Sequence, residues 1–216
     1  MAAVVLIAAC DAGTAAAQPP AGRIEVAAGA AGIGAMSFDP VAANETTLGS
    51  GTRALFDTRT QLDGSIGAGL TFGVRLTDLI RAEATVAYNP THLTTRVTSD
   101  TEGVPDVAVD TKITQYIVGG DILAQPSRWR RGRLAPFVTL GAGYLRQLSD
   151  GRTLVQTGTA YFGGGGLFYQ RVVEGRRLKA TGIRVDVRAL ALRDGVSLDR
   201  ATRVTPAVTA SLFARF

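Results

Sequence analysis

The chain has 216 residues, 46% of them hydrophobic and 19% charged, with a formal net charge of +5 and a pI near 9.9. Its 26 glycines exceed the usual share of roughly 7%, yet they follow no G-X-Y period. Val, Ile and aromatic residues are spread too evenly for a disordered chain, so collagen and disorder are both excluded. No run of about 18 apolar residues follows residue 17, which excludes a spanning helix and leaves a soluble β-rich domain or a membrane β-barrel.

Residues Ala2 to Ala9 form a short apolar core, and Ala15-Ala16-Ala17 before Gln18 has the small-x-small pattern of a signal-peptidase site. Residues 1–17 therefore read as a cleaved signal peptide and 18–216 as the mature domain. Ile7-Ala8-Ala9-Cys10 also resembles a lipobox, under which Cys10 would be lipidated as a new N-terminus. With one Cys and one His in the chain, neither an internal disulfide nor a structural zinc site is expected, and no cofactor is indicated.

Past Gly22 the apolar period is two rather than 3.6. Ile24 to Phe38 is strand-like, but its glycines hide which residues share a face. From Ile66 to Leu76 one row reads Ile, Ala, Leu, Phe, Val, Leu and the other is rich in Gly, with Thr71 and Arg75. Ile80 to Tyr88 alternates with Arg81, Glu83, Thr85 and Ala87. Tyr116, Val118, Gly120 and Ile122 lie opposite Asp121, and Val138 to Tyr144 opposite Thr139, Gly141 and Gly143. Thr159 to Arg171 again hides its parity. Ile183 to Ala189 alternates with Arg184, Asp186 and Arg188, and the chain closes on Val204 to Phe216. These are eight strands of a length suited to crossing a bilayer with a tilt. The connections around 38–61 and 98–109 are long and those around 77–79 and 173–178 short, as in a meander with one elaborate end and one economical end.

A soluble barrel would bury the apolar rows; a membrane barrel turns them to lipid and fills its interior with small residues and paired charges. Three features favour the second. Tyr88, Tyr116, Tyr144 and Phe216 stand near the ends of apolar rows, Gly crowds the opposite rows, and those rows pair carboxylates with Arg rather than Lys. The predicted fold is an all-β, antiparallel, up-and-down eight-stranded transmembrane barrel. Its interior should hold a charge network of Arg75, Arg81, Glu83, Asp121, Arg184, Asp186 and Arg188.

The last segment, Val208-Thr-Ala-Ser-Leu-Phe-Ala-Arg-Phe216, resembles the C-terminal assembly signal of Gram-negative outer-membrane barrels, and the mature chain is similar in architecture to the small OmpA/OmpX type. Ala214 replaces the family's usual aromatic, and Ser211 its frequent Gly. The resemblance implies an outer-membrane location and a last strand, with Leu212 and Phe216, that is read by the barrel-assembly machinery. Outer-membrane lipid and lipopolysaccharide are the expected surroundings, and a monomer the expected state.

On this topology the outer loops are net acidic, through residues such as Asp39, Asp57, Asp100, Glu102 and Asp106. The inner turns are net basic, through Arg128, Arg130, Arg131, Arg133, Arg176 and Arg177. Basic turns beside anionic headgroups explain the pI without nucleic acid as a partner. Asp100-x-Glu102-x-x-x-Asp106 lacks the ligand order of a calcium loop, and Gly163 to Gly166 lacks the Lys-Ser/Thr of a phosphate loop. The single histidine, His92, with Thr94 two residues on, is a poor nucleophile set, so no enzyme is expected. The expected role is structural, in envelope integrity or surface interaction. A narrow solute channel and an exported soluble lipid-binding barrel are the alternatives.

Overall fold

The computed structural model describes residues 22–47, 51–98, 107–149, 155–173, 177–195 and 201–216. The signal-peptide reading, Cys10 and the Asp100–Asp106 segment lie outside them. The strands run in the order β1 (Ile24–Ile33), β2 (Met36–Ser37), β3 (Val41–Thr47), β4 (Gly51–Leu62), β5 (Ser65–Arg75), β6 (Ile80–Thr98) and β7 (Val107–Ala124). After a 3-10 turn at Ser127–Trp129 come β8 (Leu134–Ser149), β9 (Val155–Val172), β10 (Ala180–Asp194) and β11 (Arg203–Arg215). β1 pairs with β5, and β5 to β11 pair each with the next, all antiparallel. Glu25 of β1 stands opposite Arg215 of β11, so eight strands close on themselves.

The register fixes the width of the barrel. Along one row Ile24 faces Val74, which faces Ala82, then Ile122, Leu140, Gly163, Ala189 and Pro206. The Pro206 carbonyl then accepts the N–H of Gly34 at 2.8 Å. One circuit that leaves at Ile24 therefore returns ten residues further on, at Gly34. That stagger on eight strands tilts them by roughly 40° and leaves an interior that side chains fill.

Alternation decides what each face meets. Ile66 is 78% exposed and Leu140 73%, whereas Arg184 and Asp186, on the other parity, are 2% and 1%. Val, Ile, Leu and Ala, with Gly on β7 and β9 and Pro206 on β11, make up the outward rows of β1 and β5–β11. Soluble monomers rarely expose a contiguous apolar patch beyond a few hundred Å², and the soluble alternative required the opposite facing. Tyr88, Tyr116, Tyr144 and Tyr161 mark the outer margin of this belt, with the Tyr88 and Tyr116 ring centroids 5.4 Å apart. Tyr169 and Phe216 mark the inner margin. From Tyr161 to Tyr169 the tilted strand rises about 20 Å, close to the height of a lipid-facing band.

The connection expected as a loop over 38–61 is a continuation of the wall. β2 keeps the register of β1, with Met36 opposite Leu62, and β3 folds back on β4. β4 and β5 are one strand line broken at Asp63 and Gly64, where the pairing with β6 slips by one residue: Leu62 faces Leu93, yet Ala68 faces Tyr88. The Asp63 N–H donates to the His92 carbonyl at 2.9 Å and the Thr91 hydroxyl to the Asp63 carbonyl at 2.6 Å. Such a bulge bends the wall while keeping its backbone groups bonded.

Candidate functional site

The lumen divides into two halves. The outer half holds an apolar cluster, in which Ile33, Met36, Leu62, Ile113, Ile117 and Leu145 pack with Phe162, Leu190 and Leu192, beside the buried polar side chains of Asn89, Gln115, Gln147 and Thr205. The inner half holds charge interleaved with aromatic rings. Four carboxylates, Glu25, Glu83, Asp121 and Asp186, meet four guanidiniums, Arg81, Arg184, Arg188 and Arg215.

Glu25 joins three strands: its carboxylate accepts from Arg81 at 2.6 Å and from Arg215 at 2.5 Å, and Arg184 lies 3.8 Å away. Arg184 donates to Glu83 at 2.7 Å and, through Nε, to Asp186 at 3.1 Å. Arg188 donates to Asp186 at 2.7 Å and stands 3.4 Å from Asp121, whose other partner is the Thr139 hydroxyl at 2.5 Å. Among the described residues the two signs are matched, which is what a space shielded from water requires of buried ions.

Rings complete the cations' surroundings. Arg215 lies 4.7 Å from the Phe168 centroid and 4.8 Å from that of Phe213; Arg184 lies 4.8 Å from Phe137 and Arg188 5.2 Å from Phe162. A planar guanidinium can use its edge for carboxylates and its face for rings at once, which an ammonium cannot. This explains the preference for Arg.

Glycine makes room for the network. Gly73 faces both Glu25 and Glu83, Gly141 faces Asp121, and Gly166 faces Asp186. A Cβ on Gly141 would come within 2.5 Å of the Asp121 Cβ, and one on Gly166 within 2.6 Å of the Asp186 Cβ. Each buried carboxylate thus has a glycine as a cross-strand neighbour, so these three glycines are tied to the charges.

Of the seven residues expected in the network, the structure brings Arg81, Glu83, Asp121, Arg184, Asp186 and Arg188 into contact. Arg75, half-buried at the inner end of β5, stands opposite Arg81 in the register. Glu25 and Arg215 were missed. Glu25 lies on a glycine-rich strand whose parity the sequence conceals, and Arg215 precedes the terminal Phe216, which reads first as a targeting residue. Leu212, 69% exposed, and Phe216 belong to the outer belt. Phe216 pairs with Ile24 at the seam through backbone bonds of 2.8 and 3.2 Å.

His92 stands on the outside of the wall beyond the tyrosines, its Nδ1 3.1 Å from Asp110, the two side chains 52% and 60% exposed. The Thr94 hydroxyl is 3.5 Å from the Asp63 carboxylate. Glu83 lies in the lumen, away from this pair. At the inner mouth Arg130 donates to Gln125 at 3.0 Å. Burial, reinforced by Arg75 and Arg81, lowers the Arg130 pKa, and Asp78 opposes the shift.

Closed barrel, apolar belt and tyrosine margin together define an integral membrane protein of the outer-membrane β-barrel type. The chain is similar to the outer membrane protein OprG from Pseudomonas aeruginosa, with 16% identity over 91% of this chain and 97% of that one and a TM-score of 0.52. It is also similar to Neisserial surface protein A, NspA, with 12% identity over 89% and 97% of the two chains and a TM-score of 0.54. No family model and no curated protein sequence matches it. At these identities the likeness is one of fold.

Proposed function

We propose that the protein is a static component of the outer membrane, neither a channel nor an enzyme, which supports envelope integrity and presents its raised outer rim for surface interaction. The observation that carries this reading is the lumen. An apolar cluster with buried amides fills its outer half above a neutralised charge network, and the cavity where the halves meet is about 70 Å³. Eight strands enclose an interior only wide enough for side chains of this kind to fill. A non-enzymatic role is supported by the exposed His92–Asp110 pair, whose neighbouring hydroxyl, Thr94, faces Asp63 instead. Outer-membrane lipid and lipopolysaccharide surround this protein, a monomer, and the assembly machinery reads Leu212 and Phe216 in the last strand.

Planar-bilayer recording of the purified barrel tests the lumen: no conductance steps are expected at any voltage, and reproducible steps would replace this reading with a channel. A His92→Ala strain should leave the acyl composition of envelope lipids unchanged; an altered profile would establish an enzyme. Deleting Phe216 should slow assembly in cells while leaving refolding in detergent intact, both read by heat-modifiable gel mobility.

A further inference from the structure

The outer face carries a second cationic feature, on the lipid side of the wall. On β8, Arg146 stands two residues beyond Tyr144 on the same outward row; on β10, Arg193 stands two beyond Ala191, which faces Tyr161. At about 3.3 Å per residue on a tilted strand, both arginines sit about 5 Å above the tyrosine margin. They flank the same strand. Arg146 faces Thr157 and Arg193 faces Thr159, successive outward residues of β9. With strands about 4.8 Å apart and a two-residue stagger along β9, the two guanidiniums leave backbone positions about 12 Å from each other, with two hydroxyls between them.

Among the described residues no carboxylate lies within ion-pair distance of this pair. Across the strands Arg146 meets Tyr116 and Thr157, with Thr114, Val118, Val155 and Thr159 on the diagonals; on β9 Arg193 meets Thr159, with Thr157 and Tyr161 on the diagonals. Both arginines are exposed. The buried arginines of the same molecule each have an acid or a ring, so this pairing of cations with hydroxyls points to an anion from outside. Its height selects the anion: just above an aromatic margin lie the phosphates of lipid headgroups, for which arginine forks and hydroxyl donors are suited.

We propose that Arg146, Arg193, Thr157 and Thr159 form a binding site for the phosphate of a glycolipid headgroup in the outer leaflet, with Tyr144 and Tyr161 supporting the lipid below it. The inference rests on the outer-membrane reading given above.

The test uses the full mature barrel folded in neutral detergent. Native mass spectrometry measures its binding to a diphosphorylated glycolipid, to the same glycolipid after dephosphorylation, and in competition with millimolar inorganic phosphate. The diphosphorylated lipid is expected to bind at least tenfold more tightly than the dephosphorylated one. The double variant Arg146→Gln/Arg193→Gln should lose at least tenfold in affinity, Thr157→Val/Thr159→Val should lose less, and Arg59→Gln on the outer hairpin should lose nothing. Equal affinity of wild type and arginine variant overturns the site, as does equal binding of the dephosphorylated lipid. Displacement by inorganic phosphate overturns the assignment to a lipid. Heat-modifiable mobility is read on every variant, and should the double variant fail to fold, the single variants carry the comparison. A wild-type chain that does not fold into phospholipid vesicles would count against the barrel itself, separately from this site.

Discussion

Two ion pairs of similar geometry sit about half the barrel's height apart and differ in what they cost to break. In the inner lumen Arg184 and Glu83 meet at 2.7 Å with side chains 2% and 0% exposed. At the outer rim His92 and Asp110 meet at 3.1 Å with more than half of each side chain open to solvent. Water screens the rim pair and solvates either partner alone, so its net contribution is small. The lumen pair has no such fallback: removing one member leaves a charge stranded, although the intact pair adds little over a well-packed apolar filling. Thus the network acts mainly as a constraint on which side chains the interior tolerates, and the rim is free to vary.

Five substitutions break or sharpen that contrast. The largest effect is expected of Glu25→Ala, which removes the carboxylate that Arg81 and Arg215 share and should destabilise the barrel by about 3–5 kcal/mol in urea titration of protein folded into liposomes. A loss below 1 kcal/mol would show that water reaches the network. Next, Leu70→Arg places a charge in the lipid-facing row and should cost about 2–4 kcal/mol. Thr71→Arg, on the lumen face beside the cavity, is limited by space instead, so the two should differ in their dependence on bilayer thickness. Gly141→Ala drives a methyl against the Asp121 Cβ and the Gly120 carbonyl, each 2.5 Å away, for about 1–3 kcal/mol. Asp110→Asn at the rim should change the same unfolding midpoint by less than about 1 kcal/mol.

How much of this was legible in the sequence varied with the strand. Where β-branched residues alternate with charges, as from Ile183 to Ala189, period two alone separates the lipid row from the lumen row. Where glycines break the alternation, as in β1 and β9, parity is invisible, and with it went Glu25 and the inward rings of Phe162 and Phe168. The outer hairpin was hidden for a related reason. β3 and β4 lie beyond the tyrosine margin, so neither face is under lipid's demand for apolar side chains, and the pattern that signals a strand is absent. Arg146 and Arg193 were visible as charges, but their convergence on Thr157 and Thr159 depends on a register that only the pairing supplies.

The hydrogen bond between Glu25 and Arg215 joins residues 190 positions apart. Almost the whole chain must be laid down before these two groups can meet, and an open sheet lacking one edge strand leaves the carboxylate facing Arg81 alone. Completion of the ring is therefore a late, long-range event of the kind that slows folding. The same contact makes the finished barrel all-or-none, because unzipping either edge uncovers a buried ion at the other.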